Sequence, residues 1–220
     1  MTLIDTVAIG EPVTHVVFTP DGKRAMAAKF PGHKLALLEV RGEKVTYTKQ
    51  DIPVGLWPYN FDIAPDGKLA LSADNGAAGR SDGNVDTVTV IDLEANPPRV
   101  IDKVVVGDSP EGFAISPTGK LAVALLLNGN DAAKNAWFYN RNGKVVALKI
   151  DGKKVTRSNE VEVRGLPEGL VFSDDGRYIY VGNYLDRDIS ILRIDGDQIV
   201  NTGKSLTLPG QPASMRGRTR

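Results

Sequence analysis

The hydrophobic and polar residues of this chain alternate in short runs that predict β-strands. In the clearest stretch, residues 166–195, apolar runs at 169–172, 178–181 and 189–194 are separated by a Ser-Asp-Asp-Gly turn and a polar loop. Period-two alternation and an enrichment in β-branched and aromatic residues are typical of strands. A more polar run at 198–202 would add a fourth strand. The stretch therefore predicts a four-stranded antiparallel meander.

The same pattern recurs upstream, so the chain is predicted to consist of repeats. Similar turns lie between pairs of apolar runs at intervals of 45 to 57 residues, and they begin at Pro20, Pro65, Pro117 and Asp174. In such turns Pro fixes φ and Gly accepts a positive φ. A glycine followed closely by proline opens each unit, and the units cover approximately residues 10–54, 55–106, 107–164 and 165–209.

Four-stranded units with this spacing predict an all-β fold, a β-propeller made of four-stranded antiparallel blades. The runs at 35–38 and 121–127 are almost continuously apolar, as expected for strands covered on both faces by neighbouring blades. A β-sandwich is the structural alternative, but it would not require similar turns at matching places in every unit. We expect a single propeller domain, or part of one, with about four full blades.

The two ends of the chain predict half-blade strands. Residues 2–9 have the pattern of an outermost strand, and residues 213–216 that of an innermost strand. Three arrangements fit this pattern: the C-terminal part of a longer propeller, a small closed ring, or a half ring that self-associates. Open blades would expose apolar faces and unpaired edges, which favours self-association.

Composition and charge narrow the classes of function. The chain is 41% hydrophobic and 25% charged, as in ordinary globular proteins. Its 27 basic and 27 acidic residues balance, so we expect no nucleic-acid partner. No apolar run approaches the ~20 residues of a membrane span. The absence of cysteine excludes thiolate catalysis and leaves the compartment open: periplasmic or secreted if a signal segment lies upstream, and otherwise cytoplasmic.

The candidate chemistry lies where the inner strands begin. In a propeller, the connections between blades and the loops between second and third strands share one face, the top face, around the channel mouth. Residues just after each inter-blade proline should reach this mouth. The candidate catalytic residues are His15, Glu111, Glu168 and Arg216, and the candidate ligand contacts are Tyr59 and Asn60. Paired carboxylates can exchange protons or bind a polar ligand. Alternatively, each glutamate caps its own strand or pairs with an arginine, and His15 is structural.

The long loops between second and third strands differ most between repeats, which makes them candidates for ligand contact. In the loop at 74–86, the oxygens of Asp74, Asp82 and Asp86 are weak candidates for calcium, because the spacing is not that of an EF-hand; a flexible polar loop is the alternative. The aromatic residues 137–139 could instead begin a third strand, and Asp186 could pair with Arg187. The loop candidates for ligand contact are Arg80, Trp137, Tyr139, Arg141, Asn183, Tyr184 and Arg187.

The sequence Tyr-Val-Gly-Asn at 180–183, with the turn at 173–176 and Pro-Glu-Gly at 167–169, resembles the YVTN-type β-propeller repeat proteins and the related lactonase-like seven-bladed propellers. Other repeats depart from this pattern, with Met-Ala-Ala-Lys at 26–29 and Leu-Ser-Ala-Asp at 71–74. The resemblance implies the propeller fold. Through its lactonase-like members it also implies lactone hydrolysis or cycloisomerisation by His, Glu and Arg side chains at the channel mouth.

From the sequence we predict a binding or scaffold protein that presents its top face to a small molecule or a protein partner, without a cofactor. A lactonase-like enzyme is the alternative. The sequence contains no glycine-rich phosphate loop, GxSxG elbow or HExxH motif. Lactone chemistry needs a cationic clamp, whereas the channel-mouth positions are mostly acidic or neutral, which favours binding. Convergence of Glu111, Glu168 and His15 on a pocket with an arginine would favour the enzyme.

Overall fold

The computed structural model describes residues 2–217, which form four antiparallel sheets of four strands each. The first sheet contains β1 (Val13–Phe18), β2 (Arg24–Lys29), β3 (Lys34–Arg41) and β4 (Lys44–Pro53). The second contains β5 (Pro58–Ile63), β6 (Leu69–Asp74), β7 (Asp86–Asp92) and β8 (Arg99–Gly107). The third contains β9 (Pro110–Ile115), β10 (Leu121–Leu126), β11 (Lys144–Asp151) and β12 (Lys154–Glu162). The fourth contains β13 (Pro167–Phe172), β14 (Tyr178–Asn183), β15 (Asp188–Asp195) and β16 (Gln198–Thr207). A short 3₁₀ turn, Phe30–Gly32, connects β2 to β3.

The turn between the first two strands of a blade is built from the same hydrogen bonds at both ends of the chain. In the fourth blade, the Ser173 hydroxyl donates to Asp175 at 2.6 Å, and Asp175 also accepts the Arg177 N–H at 3.0 Å. In the first blade, Thr19 and Asp21 make the corresponding contact at 2.6 Å. Side-chain capping of this kind stabilises a tight reversal. The repeated turn chemistry therefore produces the repeated hairpin.

The blades pack face to face, and their second strands carry the core. All six residues of β6 and all six of β10 are buried, because both faces of these strands are covered by neighbouring blades. One hydrophobic cluster lies between each pair of adjacent blades. The cluster between the first and second blades contains Phe61, the next contains Phe113, and the one between the third and fourth blades contains Phe172. The predicted β-propeller architecture is confirmed, with four blades in the described part of the chain.

The inner strands lie next to one another in the order β1, β5, β9, β13, and the outer strands meet between successive blades as well. The first residues of all four inner strands therefore come together on the top face. The tight turns between first and second strands lie on the opposite face, which is called the bottom face below.

The structure corrects the prediction of half-blade strands at the two ends of the chain. Within the described residues, neither 2–9 nor 213–216 forms a β-strand. A strand needs neighbours for its backbone N–H and C=O groups, and the blades that these segments would complete contribute no other strand here. Val7 and Ile9 instead pack against the outer face of the first blade, beside Leu38. Residues 213–217, called the tail below, lie against β13.

A search of the described residues finds no helix with the length and apolar character that crossing a membrane requires.

Candidate functional site

A cavity of about 170 Å³ lies on the top face where the inner strands begin, and it is called the funnel here. Each blade contributes to its wall, and the tail closes one side. Its lining includes His15 from β1, Tyr59 and Asn60 from β5, Glu111 from β9, Glu168 from β13, and Ser214 and Arg216 from the tail. The structure thus brings together all four candidate catalytic residues and two of the candidate ligand contacts.

Glycine at two matching positions allows the backbones around the funnel to approach closely. A Cβ at Gly112 would lie 2.7 Å from the backbone carbonyl oxygen of Glu168. A Cβ at Gly169 would lie 2.7 Å from the backbone nitrogen of Met215. Side chains cannot be tolerated at such distances without a shift of the backbone. The glycine of each Pro-Glu-Gly motif therefore allows its strand to lie close to the neighbouring backbone, and this brings the adjacent glutamate near that side of the funnel.

Glu111 is the most buried acid of the funnel, with 5% of its surface exposed. Burial raises its pKa to about 8, and the negative charges of Glu168 and Asp131 contribute to the same shift. Burial also raises the pKa of Glu168, but this residue is only partly buried. The two carboxyl groups of the funnel therefore interact, and Glu111 is the one whose acid form is favoured more strongly by burial.

Asn75 connects the loop at 74–86 to the funnel. Its side-chain amide donates to the Ser109 hydroxyl at 2.7 Å and to Glu111 Oε1 at 3.5 Å. At this length the contact with Oε1 is a weak hydrogen bond, and it links the loop to the acid of the funnel. Sequence reasoning missed Asn75, since an asparagine before glycine first indicates a turn. Its position directly after β6, at the start of a top-face loop, was the available signal.

His15 and Arg216 meet across the funnel. A guanidinium nitrogen of Arg216 lies 3.4 Å from Nδ1 of His15. Arginine has donors only, so Nδ1 accepts and the imidazole proton is carried by Nε2. Burial and the positive charge of Arg216 lower the pKa of His15 to about 4. The imidazole is therefore neutral at physiological pH, and its Nε2–H is a donor.

Tyr59 borders both glutamates. Burial raises the pKa of its hydroxyl, and the negative charges of Glu111 and Glu168 act in the same direction. Its ring packs edge-on against Phe30, with the centroids 5.7 Å apart. Tyr59 is therefore a protonated, positioned donor in the wall of the funnel.

The candidates in the loop at 128–144 do not line the funnel. β11 begins only at Lys144, so the alternative in which residues 137–139 start the third strand is wrong. Trp137 is 83% exposed, and its ring packs against Phe138 at a centroid distance of 5.4 Å. Tyr139 is partly buried in the same loop. The guanidinium of Arg141 donates to Asp186 at 2.6 Å, which joins this loop to the one at 184–187.

The remaining top-face candidates are spread over the rim. Asn183 is fully buried, and it donates to Asp188 and Ser190 of its own blade. Tyr184 is partly buried and donates its backbone N–H to Leu166. Arg187 and Arg80 are exposed, and neither lines the funnel. Asp186 pairs with Arg141, so the alternative pairing with Arg187 is wrong.

Two of the three candidate calcium ligands, Asp74 and Asp86, are engaged in hydrogen bonds with neighbouring strands and loops. Asp74 is buried and accepts hydrogen bonds from Ser72 at 2.9 Å and Thr89 at 2.5 Å. Asp86 accepts the backbone N–H of Ser109 at 2.9 Å, whereas Asp82 is exposed. In the described part of the chain, no group of three or more acidic or histidine side chains is arranged to hold a metal ion.

A larger depression of about 1210 Å³ lies on the bottom face among the turns of three blades. Three of its lysines are engaged in ion pairs, with Lys153 at 2.8 Å from Asp92, Lys149 at 3.2 Å from Asp197, and Lys68 at 4.0 Å from Glu94. Most of its lysines are thus engaged at the surface, so the funnel is the better candidate for a chemical site despite its smaller size.

The described blades and their central funnel define the chain as a β-propeller, and solved structures resemble it. A crystal structure described as a putative 6-phosphogluconolactonase from Bacteroides fragilis NCTC 9343 matches 92% of this chain with a TM-score of 0.74 and 18% identity. A second, from Bacteroides uniformis ATCC 8492, carries the same description and matches 88% with a TM-score of 0.71 and 14% identity. Hydrazine synthase from Kuenenia stuttgartiensis matches 91% with a TM-score of 0.56 and 17% identity.

The chain spans about half of the two lactonase-like structures, 56% and 54% of their lengths. At these identities the likeness concerns the β-propeller fold alone. No protein-family model and no curated protein sequence matches the chain.

Proposed function

We propose that the funnel is the site of a lactone hydrolase. The observation that carries the proposal is the convergence of Glu111, Glu168 and the His15–Arg216 pair on one cavity. The fold shared with structures described as lactonases supports it. Because the chain spans about half of those structures, the activity of the whole protein is part of the proposal. The binding or scaffold role remains a prediction, which these likenesses do not support.

The proposed reaction uses the two glutamates in different protonation states. The ionised Glu168 accepts a proton from water as the water oxygen forms a bond to the lactone carbonyl carbon. Negative charge develops on the carbonyl oxygen, where the Nε2–H of His15 and the guanidinium of Arg216 can donate hydrogen bonds. As the ring C–O bond breaks, Glu111 gives its proton to the departing ring oxygen. The product is the hydroxy acid, and proton exchange with solvent restores both glutamates.

The test measures the hydrolysis of a panel of five- and six-membered lactones, with proton release as the readout. We expect Glu168→Gln and Glu111→Gln each to lower kcat by about 10²–10⁴-fold, because each removes a proton-transfer group. Glu43→Gln, in the exposed turn between β3 and β4, is the matched control and should retain full activity. The proposal is contradicted if wild type and Glu168→Gln both hydrolyse every lactone of the panel no faster than the uncatalysed reaction.

A further inference from the structure

The charges of the funnel are unfavourable for an anionic ligand. Among the described residues that line it, Arg216 is the one cation, and two carboxyl groups, Glu111 and Glu168, line the same cavity. Burial raises the pKa of Asp62, lower in the channel, and the positive charge of Arg216 partly opposes this shift. The guanidinium therefore already faces His15 and an acidic neighbour. Arg80 follows Gly79 at the rim, but its side chain does not line the cavity.

A phosphate monoester requires a different environment. It carries about −1.5 to −2 charges at neutral pH. Proteins bind such groups with clusters of arginine and lysine or with the N-termini of helices. The described part of this chain contains no α-helix, and the described lining of the funnel contains one arginine and two carboxyl groups. A phosphate placed there would face Glu168 and be repelled.

The size and the neutral groups of the funnel suit a small hydroxylated ring. Its volume of about 170 Å³ is below the ~300–1,000 Å³ of pockets that hold drug-sized ligands. The walls offer the hydroxyl groups of Thr14 and Ser214 and the amide of Asn60. Such groups both donate and accept hydrogen bonds, as sugar hydroxyl groups do. A single uncharged ring can therefore be surrounded by groups that match its hydroxyl groups.

We propose that the funnel selects an uncharged, unphosphorylated hydroxylated lactone and discriminates against the corresponding phosphorylated lactone. This inference rests on the proposed function of the same site. The proposed substrate differs from the phosphorylated lactone that the description of the structural neighbours implies. The charge of the funnel lining, and not the shared fold, decides which ring is accepted.

The same charges act on the product. Ring opening turns an uncharged lactone into a carboxylate, and proton exchange with solvent then restores the negative charge of Glu168 beside it. The acid should therefore bind more weakly than its parent lactone, and a phosphorylated acid should bind more weakly still. Product release is favoured by the residue that accepts the proton from water.

The kinetic test compares glucono-δ-lactone with its 6-phosphate on the full chain. We expect kcat/KM to favour the unphosphorylated lactone by about tenfold or more, which corresponds to about 1.4 kcal/mol. Equal values, or a preference for the phosphorylated lactone, would overturn the substrate assignment while leaving the lactone hydrolase intact. Hydrolysis of neither lactone, nor of any lactone in the panel, would overturn the proposed function.

A binding test does not depend on turnover. Calorimetry should give a dissociation constant for 6-phosphogluconate at least about tenfold higher than that for D-gluconate. Glu168→Gln keeps the shape of the side chain and removes its charge, so the difference between the two acids should shrink. Glu43→Gln should preserve it. An unchanged difference in Glu168→Gln, tighter binding of the phosphorylated acid to the wild type, or binding of neither acid to wild type or variant would each contradict the inference.

Discussion

The acid form of Glu111 depends on its surroundings and not on its place in the repeat. Glu111 and Glu168 follow matching prolines and precede matching glycines. Glu111 is nevertheless fully enclosed, whereas Glu168 is partly open to solvent. Burial penalises the charged form, and the first carboxylate to ionise raises the pKa of the second. Two identical motifs therefore hold two carboxyl groups in different surroundings.

The pH dependence of catalysis should report this difference. If Glu111 is the proton donor, kcat/KM should fall as pH rises through about 8, because the acid form is lost there. The pH profile of lactone hydrolysis measures this limb in the free protein. Glu111→Gln should remove the limb together with most of the rate, and a limb that persists in this variant would assign it to another group.

Glu111 should also make stability depend on pH. Its pKa is 4.5 when unperturbed and about 8 in the folded protein. Between these values the folded state binds more protons than the unfolded state, so this contribution to the free energy of unfolding decreases as pH rises. The loss should amount to a few kcal/mol at most, at 1.36 kcal/mol per pKa unit. Urea unfolding between about pH 5 and about pH 9.5 should show wild type losing stability relative to Glu111→Gln, with a constant difference above about pH 9. A difference that does not vary with pH would contradict the shift.

At the scale of strands, the close approach of β9 and β13 depends on Gly112. An alanine there would place its Cβ 2.7 Å from the carbonyl oxygen of Glu168 and 2.5 Å from a methyl group of Leu125. We expect Gly112→Ala to lower the free energy of unfolding by about 1–3 kcal/mol, because the strands must move apart. Gly210→Ala is the matched control, since a Cβ at Gly210 meets no atom within 4 Å. Equal unfolding midpoints in urea for the two variants would show that the strands can absorb the extra atom.

The repeated turns made the blades and the funnel predictable, since they fix which end of each inner strand lies on the top face. This is why Glu111 and Glu168 could be assigned to one site before their contacts were known. The aromatic residues at 137–139 were not predictable in the same way. A run of three aromatic residues fits a strand or a loop equally well, and packing against the neighbouring loop at Gly83 decides between them. Strand formation at the ends likewise depends on neighbours that the local sequence does not specify.

As a whole, the described chain is an arc whose first and last blades each have an outward face. Large apolar side chains are exposed on the first blade and the segment before it: Leu3 at 83%, Ile4 at 67% and Phe18 at 55%. Leu206 of the last blade is 57% exposed. Apolar surface in these positions is unusual for a monomer.

We therefore expect the purified chain to self-associate in a concentration-dependent manner, as measured by size-exclusion chromatography with light scattering. Phe18→Ser should reduce the apparent mass at a given concentration, because it removes one of these apolar contacts. Thr48→Ser, on an outer strand, is a control that leaves the blade faces unchanged. A monodisperse monomer over the whole concentration range would contradict the expectation.

The funnel obtains its cation from the tail and not from a blade. The tail lies against β13, and its Arg216 lies beside His15 of β1, so the tail bridges the first and last inner strands of the described chain at this site. A ligand that binds both Arg216 and Glu168 would hold the tail against β13. Occupancy of the funnel and attachment of the tail would then be thermodynamically linked, and each would strengthen the other by the same factor.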